Sequence, residues 1–272
     1  VTLLVIGGNG YLGREIVRQS IAAGHRVAAT FLTRPPEADG AQWLPLDVRD
    51  RRHVGETVDA VQPDVVINAA YRQDDWTTTA DGAAHAALAA AQAGTRLVHV
   101  SSDAVFSGNA ARYDETAAPD PTTPYGAAKA AAETAVKAIT PHAVIARTSL
   151  IIGDGHSSHE HRVHALAADP ATGVLFTGDV RCPIHVTDLA AALLELAAPT
   201  HTGTFHVAGA DALSRHELGT LIAHRDGLDP VALPTGRRAD TDLPGPIDLR
   251  LDTTATQQHL RTELRGAHRF LT

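Results

Sequence analysis

The segment Gly7-Gly-Asn-Gly-Tyr-Leu-Gly13 constrains this chain more than any other. It follows the uncharged run Thr2 to Ile6 and opens a helical stretch from Leu12 to Ala23, with glycines at 7, 10 and 13. A strand that turns this tightly into a helix gathers unpaired backbone N–H groups and the positive end of the helix dipole at one point, where a pyrophosphate binds. Glycine permits both the turn and the close approach of backbone to phosphate. The same alternation continues downstream. Arg26 to Phe31, Asp64 to Asn68, Arg96 to Ser101 and Ala143 to Arg147 read as strands, and Asp50 to Val61, Thr78 to Ala93 and Pro124 to Ile139 as helices between them. Crossovers of this length join parallel strands, and the strands are apolar enough to be covered on both faces.

The expected fold is therefore α/β, a Rossmann-type doubly wound parallel sheet over residues 1–150. A smaller C-terminal substrate lobe, residues 151–272, is expected to be partly interleaved with it. Past Gly153 the pattern loosens into a stretch rich in Gly, His and Ser. Val174 to Phe176, a helix Thr187 to Leu196, Thr204 to Val207 and a helix Ser214 to His224 follow, then a Pro/Gly-rich loop from Pro230 to Pro246 and a short helix within Thr253 to Leu260. The alanine-rich runs Ala83 to Ala93 and Ala127 to Ala135 read as helices packed on the sheet.

Charge narrows the functional classes. The 272 residues carry 23 Lys and Arg against 31 Asp and Glu, a net charge of -8, with no basic stripe for nucleic acid. No apolar run approaches the roughly 18 residues of a membrane span, and the first residues lack the basic flank and cleavage site of a signal peptide. The single cysteine, Cys182, excludes an internal disulfide and a thiolate-rich zinc site. These features point to a cytoplasmic protein with a small-molecule substrate, for which a homodimer is an allowed assembly.

The second strand ends Thr30-Phe-Leu-Thr-Arg34, without the carboxylate that grips the ribose 2′-hydroxyl of NAD. Arg34, and Arg14 just after the last motif glycine, are instead placed to pair with a 2′-phosphate, which predicts NADPH.

Two further features converge on one chemistry. Ser101-Ser-Asp-Ala-Val-Phe ends a strand, and Tyr125-Gly-Ala-Ala-Lys129 opens a helix, with Tyr125 and Lys129 one turn apart on one face. A ketone that accepts a hydride develops alkoxide charge and needs a proton donor and a hydrogen bond on its oxygen. A Lys ammonium about 5 Å from a tyrosine, at an effective dielectric of about 20, favours phenolate by roughly 3 kcal/mol, or about two pKa units. Lys129 is therefore expected to make Tyr125 a usable acid.

With these residues the chain resembles the extended short-chain dehydrogenase/reductase family over essentially its whole length, and most closely the dTDP-4-dehydrorhamnose reductases and the β subunit of methionine adenosyltransferase. The matching text is the Gly7 to Gly13 loop, Asp47-Val48, Asn68-Ala-Ala70, Ser101 to Gly108, Tyr113-Asp-Glu115, Pro124 to Lys129 with Glu133, Arg147-Thr-Ser149, Pro183 to Asp188 and Gly203-Thr-Phe-His206. The resemblance implies that Ser102 orients the carbonyl, Tyr125 donates the proton and Lys129 holds the nicotinamide ribose. It implies a cofactor site of Gly7, Asn9, Gly10, Tyr11, Leu12, Arg14, Arg34, Asp47, Val48, Asn68, Ala69, Ala70 and Ser101, with Tyr125 and Lys129. It places Asp103, Ala104, Val105, Arg147, Leu150 and Cys182 by the substrate, and no metal.

Departures bear on the substrate. The Asp-Glu pair of the family's dehydratases is replaced here by Asp103-Ala104, which favours simple ketoreduction. Leu150 stands where the rhamnose-pathway reductases have Trp, Gly245-Pro246 where they have an Arg-Pro whose arginine would serve a pyrophosphate, and Thr79 where a helix Asn is common. The segment Tyr71-Arg-Gln-Asp-Asp-Trp76 is also atypical. A nucleotide-linked 4-keto-6-deoxysugar is the leading substrate. Another ketone or imine of specialised metabolism, and a non-catalytic NADP-binding regulatory subunit, remain as alternatives. His156 to His164 reads as a mobile polar loop at the cleft entrance rather than a metal site, Asp188 as a helix cap, Trp43 as packing and Trp76 as a shield over the substrate.

Overall fold

The computed structural model describes residues 1–37 and 40–272. β1 (Thr2–Ile6) is buried along its whole length. Its side chains alternate: Leu3 and Val5 join an apolar cluster on one face of the sheet, Leu4 and Ile6 a cluster on the other. α1 (Tyr11–Ala22) returns the chain to β2 (Arg26–Phe31) and on to β3 (Gln42–Pro45). α2 (Arg51–Val61), capped by the Asp50 carboxylate, leads to β4 (Val65–Asn68). A single π turn, Thr77–Asp81, runs into α3 (Gly82–Gln92) and then β5 (Arg96–Ser102). α4 (Pro124–Ile139) starts on a Thr123 cap with Pro at its first position and ends before β6 (Val144–Thr148).

The central sheet is parallel throughout, with one strand contributed by residues beyond 200. In the order β3-β2-β1-β4-β5-β6, the chain reverses direction across the sheet between β1 and β4. Gly203–His206, named β7, completes it by pairing in parallel with β6. α1 covers one face together with α6 (Val186–Leu196), whose Leu189, Leu193 and Leu196 meet Leu12, Ile16 and Val17. α2, α3 and α4 cover the other, where the alanines of α3 and α4 let helix axes approach the sheet closely. Thr187 to Leu196 and Thr204 to Val207, expected in the small lobe, thus return to the sheet layer, because the lobe is built from two segments of chain, one before this return and one after it.

The lobe has its own core of Ile152, Val163, Leu166, Leu175, Leu218 and Ile222. It contains α5 (Ser158–Ala168) and α7 (Arg215–Arg225), each opened by a reciprocal capping box, Ser157 with Glu160 and Ser214 with Glu217. The mobile loop expected at His156 to His164 is therefore a helix. Glu160 is wholly buried, accepts the Gly155 and Ser157 N–H groups and pairs with Arg225 at 2.8 Å, while Val163 and Leu166 face the lobe core. Asp188 is not a cap either: α6 begins at Val186 under the His185 imidazole, and Asp188 instead takes both arms of Arg265 at 2.8 Å. The short helix expected within Thr253 to Leu260 is the single turn Thr254–Gln257, and a further turn, Ala267–Phe270, follows it. Among the described residues no helix is long and apolar enough to cross a membrane.

Candidate active site

The first corner of the sheet is built by glycine. Gly7 has φ +79°, and a Cβ at Gly13 would run into the Gly7 carbonyl and the Gly8 backbone. α1 therefore begins directly over the end of β1. Its N-cap, Gly10, supplies no side-chain acceptor and its first turn holds no acidic residue, so its leading N–H groups face the cleft. This corner fits a dinucleotide pyrophosphate. Tyr11 lines the same cleft and seats its hydroxyl against Gly153 of the lobe.

Asn9 organises the neighbouring corner. Its side-chain nitrogen donates to the Arg34 carbonyl at 3.0 Å, and its oxygen accepts from Arg14 Nε and Nη2 at 3.0 and 2.8 Å. Arg14 and the exit of β2 are thereby gathered in one place. On the far side, Asp47 is engaged by Arg49 at 2.7 Å, and the Val48 carbonyl lies 2.9 Å from the His85 ring. Asn68 is buried, accepts the Ala70 N–H and faces His99, while Ala69 donates to the Ile6 carbonyl.

Tyr125 and Lys129 both line a cleft of about 410 Å³ over the carboxyl ends of β1, β4, β5 and β6. The Tyr125 hydroxyl is hydrogen-bonded to Ser102, whose Oγ also accepts the Ala104 N–H and donates to Asp103 at 3.2 Å. Asp103 accepts Ser149 Oγ at 2.7 Å. Serine, tyrosine and lysine thus converge, with one departure from expectation. Lys129 Nζ donates to the Val100 carbonyl at 2.9 Å and lies 5.0 Å from the Tyr71 ring centre. Burial lowers the lysine to about 8, against the pull of Glu133. The Tyr125 phenol is pushed up, by burial first and then by Tyr71 and Asp103, while the Ser102 hydrogen bond opposes. The expected lowering by Lys129 is therefore not seen in this arrangement, because the ammonium is turned toward the strand backbone.

Three substrate positions need correction. Arg147 is 1% exposed, paired bidentately with Glu133 at 2.9 and 2.8 Å and stacked over Phe106, so it braces β6 against α4. Val105 and Cys182 are buried with Phe106, Tyr113 and Leu251 behind the cleft wall, where burial pushes the thiol up to about 11. Asp103, Ala104 and Leu150 do line the cleft. Trp76 is half exposed and absent from the lining, and so does not shield the cleft. Trp43 packs against the sheet cluster as expected.

The sequence profile of the RmlD substrate binding domain matches residues 1–269. The chain belongs to that family. Among its relatives is the probable low-salt glycan biosynthesis reductase Agl14 of Haloferax volcanii, 31% identical over 88% of this chain and 85% of that one. The dTDP-4-dehydrorhamnose reductase of Mycobacterium tuberculosis is 30% identical over 90% of this chain and 82% of its own length. The crystal structure of a hypothetical dTDP-4-dehydrorhamnose reductase from Sulfolobus tokodaii superposes with a TM-score of 0.84 at 26% identity, covering 97% of each chain. The likeness to dTDP-4-dehydrorhamnose reductases that the motifs implied is borne out, and with it an oxidoreductase.

As an RmlD-family member the chain has cleft residues that its motifs did not reveal. Tyr71 packs on Tyr125 with ring centres 5.9 Å apart, and His159, Arg181, Arg215 and Arg238 line the lobe side. Burial lowers His159 to about 4. Tyr71 was signalled only by its atypical segment, which Thr79 holds through hydrogen bonds to both backbone groups of Arg72. The arginines come from three separate segments with no local pattern. Gly245 has φ +111°, a conformation poorly suited to an arginine, and the Arg238 side chain runs past it.

Proposed function

We propose that the chain is an NADPH-dependent ketoreductase acting on a nucleotide-linked 4-keto-6-deoxysugar. The observation that carries the reading is the meeting of Ser102, Tyr125 and Lys129 in one cleft beside the glycine corner of α1. NADPH is supported by the Arg14 guanidinium held on Asn9 beside the Arg34 backbone carbonyl, with no carboxylate at the end of β2. The sugar-nucleotide class is supported by the reductase relatives. The lone buried thiol supports a cytoplasmic setting.

When bound, NADPH supplies the hydride. Ser102 orients the substrate carbonyl and Tyr125 delivers its phenolic proton to the oxygen as charge develops there. A raised phenol keeps that proton on Tyr125 at neutral pH. Lys129 is positioned to exchange its Val100 contact for a ribose hydroxyl, and in that position its charge would assist loss of the tyrosine proton. Asp103 fixes the Ser102 and Ser149 hydroxyls together.

The test is NADPH consumption with dTDP-4-keto-6-deoxysugars, alongside Tyr125→Phe. Turnover that falls by about 10²- to 10⁴-fold in the variant with little change in KM supports the reading. Equal rates in both proteins would remove Tyr125 from the chemistry. A second reading, an NADPH-binding regulatory subunit, is favoured by Lys129 being held on the Val100 carbonyl beneath Tyr71. Tight NADPH binding without turnover on any ketone would select it.

A further inference from the structure

His99 on β5 and Asn68 on β4 are register partners in the parallel ladder. Their side chains lie on the face that Leu97 and Val66 share with α3 and α4. Both are buried, at 0% and 1% exposure, and nothing in the proton transfer uses His99.

The hydrogen bonds around the pair admit one arrangement of protons. The Asn68 side-chain oxygen accepts the Ala70 N–H at 3.2 Å, so its NH₂ group faces His99 Nδ1 at 3.3 Å. An amide nitrogen only donates, so Nδ1 is the acceptor and the imidazole proton sits on Nε2, which is buried without a partner. Turning the amide over would set its NH₂ against the Ala70 N–H. A protonated imidazole would likewise bring two donors face to face. Burial, helped by the Lys129 ammonium, lowers His99 to about 3, so the ring stays neutral and the acceptor is always available near neutral pH.

What the amide holds is a wall of the cleft. Ala69 donates to the Ile6 carbonyl at 2.9 Å and Ala70 to Asn68, while a Cβ on Gly7 would come within 2.8 Å of the Ala70 nitrogen. The Ala69–Ala70 backbone is thus seated directly on the glycine corner, and Ala69 lines the cleft with Gly10, Tyr11 and Lys129. We propose that His99 is a positioning residue for NADPH: its Nδ1 lone pair fixes the Asn68 amide, and the amide fixes the Ala69–Ala70 backbone along which the cofactor lies. This rests on the NADPH reading of the cleft. Proton transfer is left to Ser102 and Tyr125.

Two measurements on the whole chain test it. Hydrogen exchange at the Ala70 amide, without cofactor, should quicken about ten-fold or more in His99→Leu and return toward wild type in His99→Gln, whose side-chain oxygen accepts from Asn68. Fluorescence titration should show NADPH weakened on the order of ten-fold in His99→Leu and restored in His99→Gln, with KM for NADPH raised and kcat little changed. In an Asn68→Ala background, His99→Leu should add nothing. Additive losses, or an unchanged Ala70 amide in His99→Leu, would overturn the proposal. If His99→Leu does not fold, nitrogen NMR of the wild-type ring decides: a proton on Nε2 upholds the arrangement and a proton on Nδ1 overturns it. Quickened Ala70 exchange in a protein that binds no NADPH would keep the hold of His99 on Ala70 and sink the NADPH reading.

Discussion

The Nζ of Lys129 lies 5.0 Å from the centre of the Tyr71 ring, and the same ring leans on Tyr125 at 5.9 Å. Tyr71 therefore touches both members of the Tyr-Lys pair. Its phenol helps to hold the Tyr125 proton on, behind the larger effect of burial. Tyr71→Leu removes that influence and admits water, so Tyr125 should ionise at lower pH. Reduction needs the protonated phenol, and the basic limb of the kcat profile should move toward neutrality. A profile identical to wild type would show that Tyr71 does not act on Tyr125.

Arg14 is held by two hydrogen bonds to Asn9 Oδ1 beside the Arg34 carbonyl. If this corner recognises a 2′-phosphate, Arg14→Ala should weaken NADPH by about 1.5–3 kcal/mol, roughly ten- to a hundred-fold, and leave NADH nearly unchanged. Asn9→Ala should do the same more mildly, because it frees the guanidinium without removing it. Fluorescence titration with both cofactors measures the ratio, and equal losses for NADH and NADPH would refute the assignment.

Arg147 and Glu133 form an ion pair in which both side chains are 1% exposed. Removing one partner strands the other charge, so Arg147→Met should cost about 3–5 kcal/mol of stability. The double variant Arg147→Met with Glu133→Leu should recover part of that loss. Denaturant melts of the four proteins give the cycle. A raised KM in Arg147→Met with unchanged stability would return this residue to the substrate site.

His99 is fully buried on β5, and burial, helped by Lys129, lowers it from 6.5 to about 3. Between those values the unfolded chain carries a proton that the folded chain does not. The contribution is fully present above about pH 6.5 and is lost as pH falls toward 3. Stability should therefore decline on acidification more steeply than in His99→Leu, by up to about 1.4 kcal/mol per pH unit. Parallel pH–stability curves would assign the acid sensitivity elsewhere.

Much of this architecture was legible because it is written locally. The limits of the strands and helices read up to residue 150 fall within a residue or so of the hydrophobic periodicity, apart from the π turn that opens the Thr78 to Ala93 helix; the short strand Gln42–Pro45 was not among them, and the glycine corner needed only its spacing. Helix α5 was hidden because its histidines masked a Ser157–Glu160 capping box and an apolar stripe of Val163 and Leu166. Arg147 looked available because its motif position was known, while its partner Glu133 on another element decides where it points. The arginines at 181, 215 and 238 are joined only by tertiary folding. Lys129 was placed correctly on its helix, but its rotamer answers to the Val100 carbonyl, which no spacing rule encodes.

The chain leaves the sheet after β6, comes back as α6 and β7, and leaves again to α7, so the layer that carries the glycine corner is finished by residues that lie between the two segments of the lobe. Cutting at residue 150 would strip the outer strand from β6 and expose the face of Leu12, Ile16 and Val17. The two sides of the cleft should consequently melt in a single cooperative transition, with neither able to persist as a folded half.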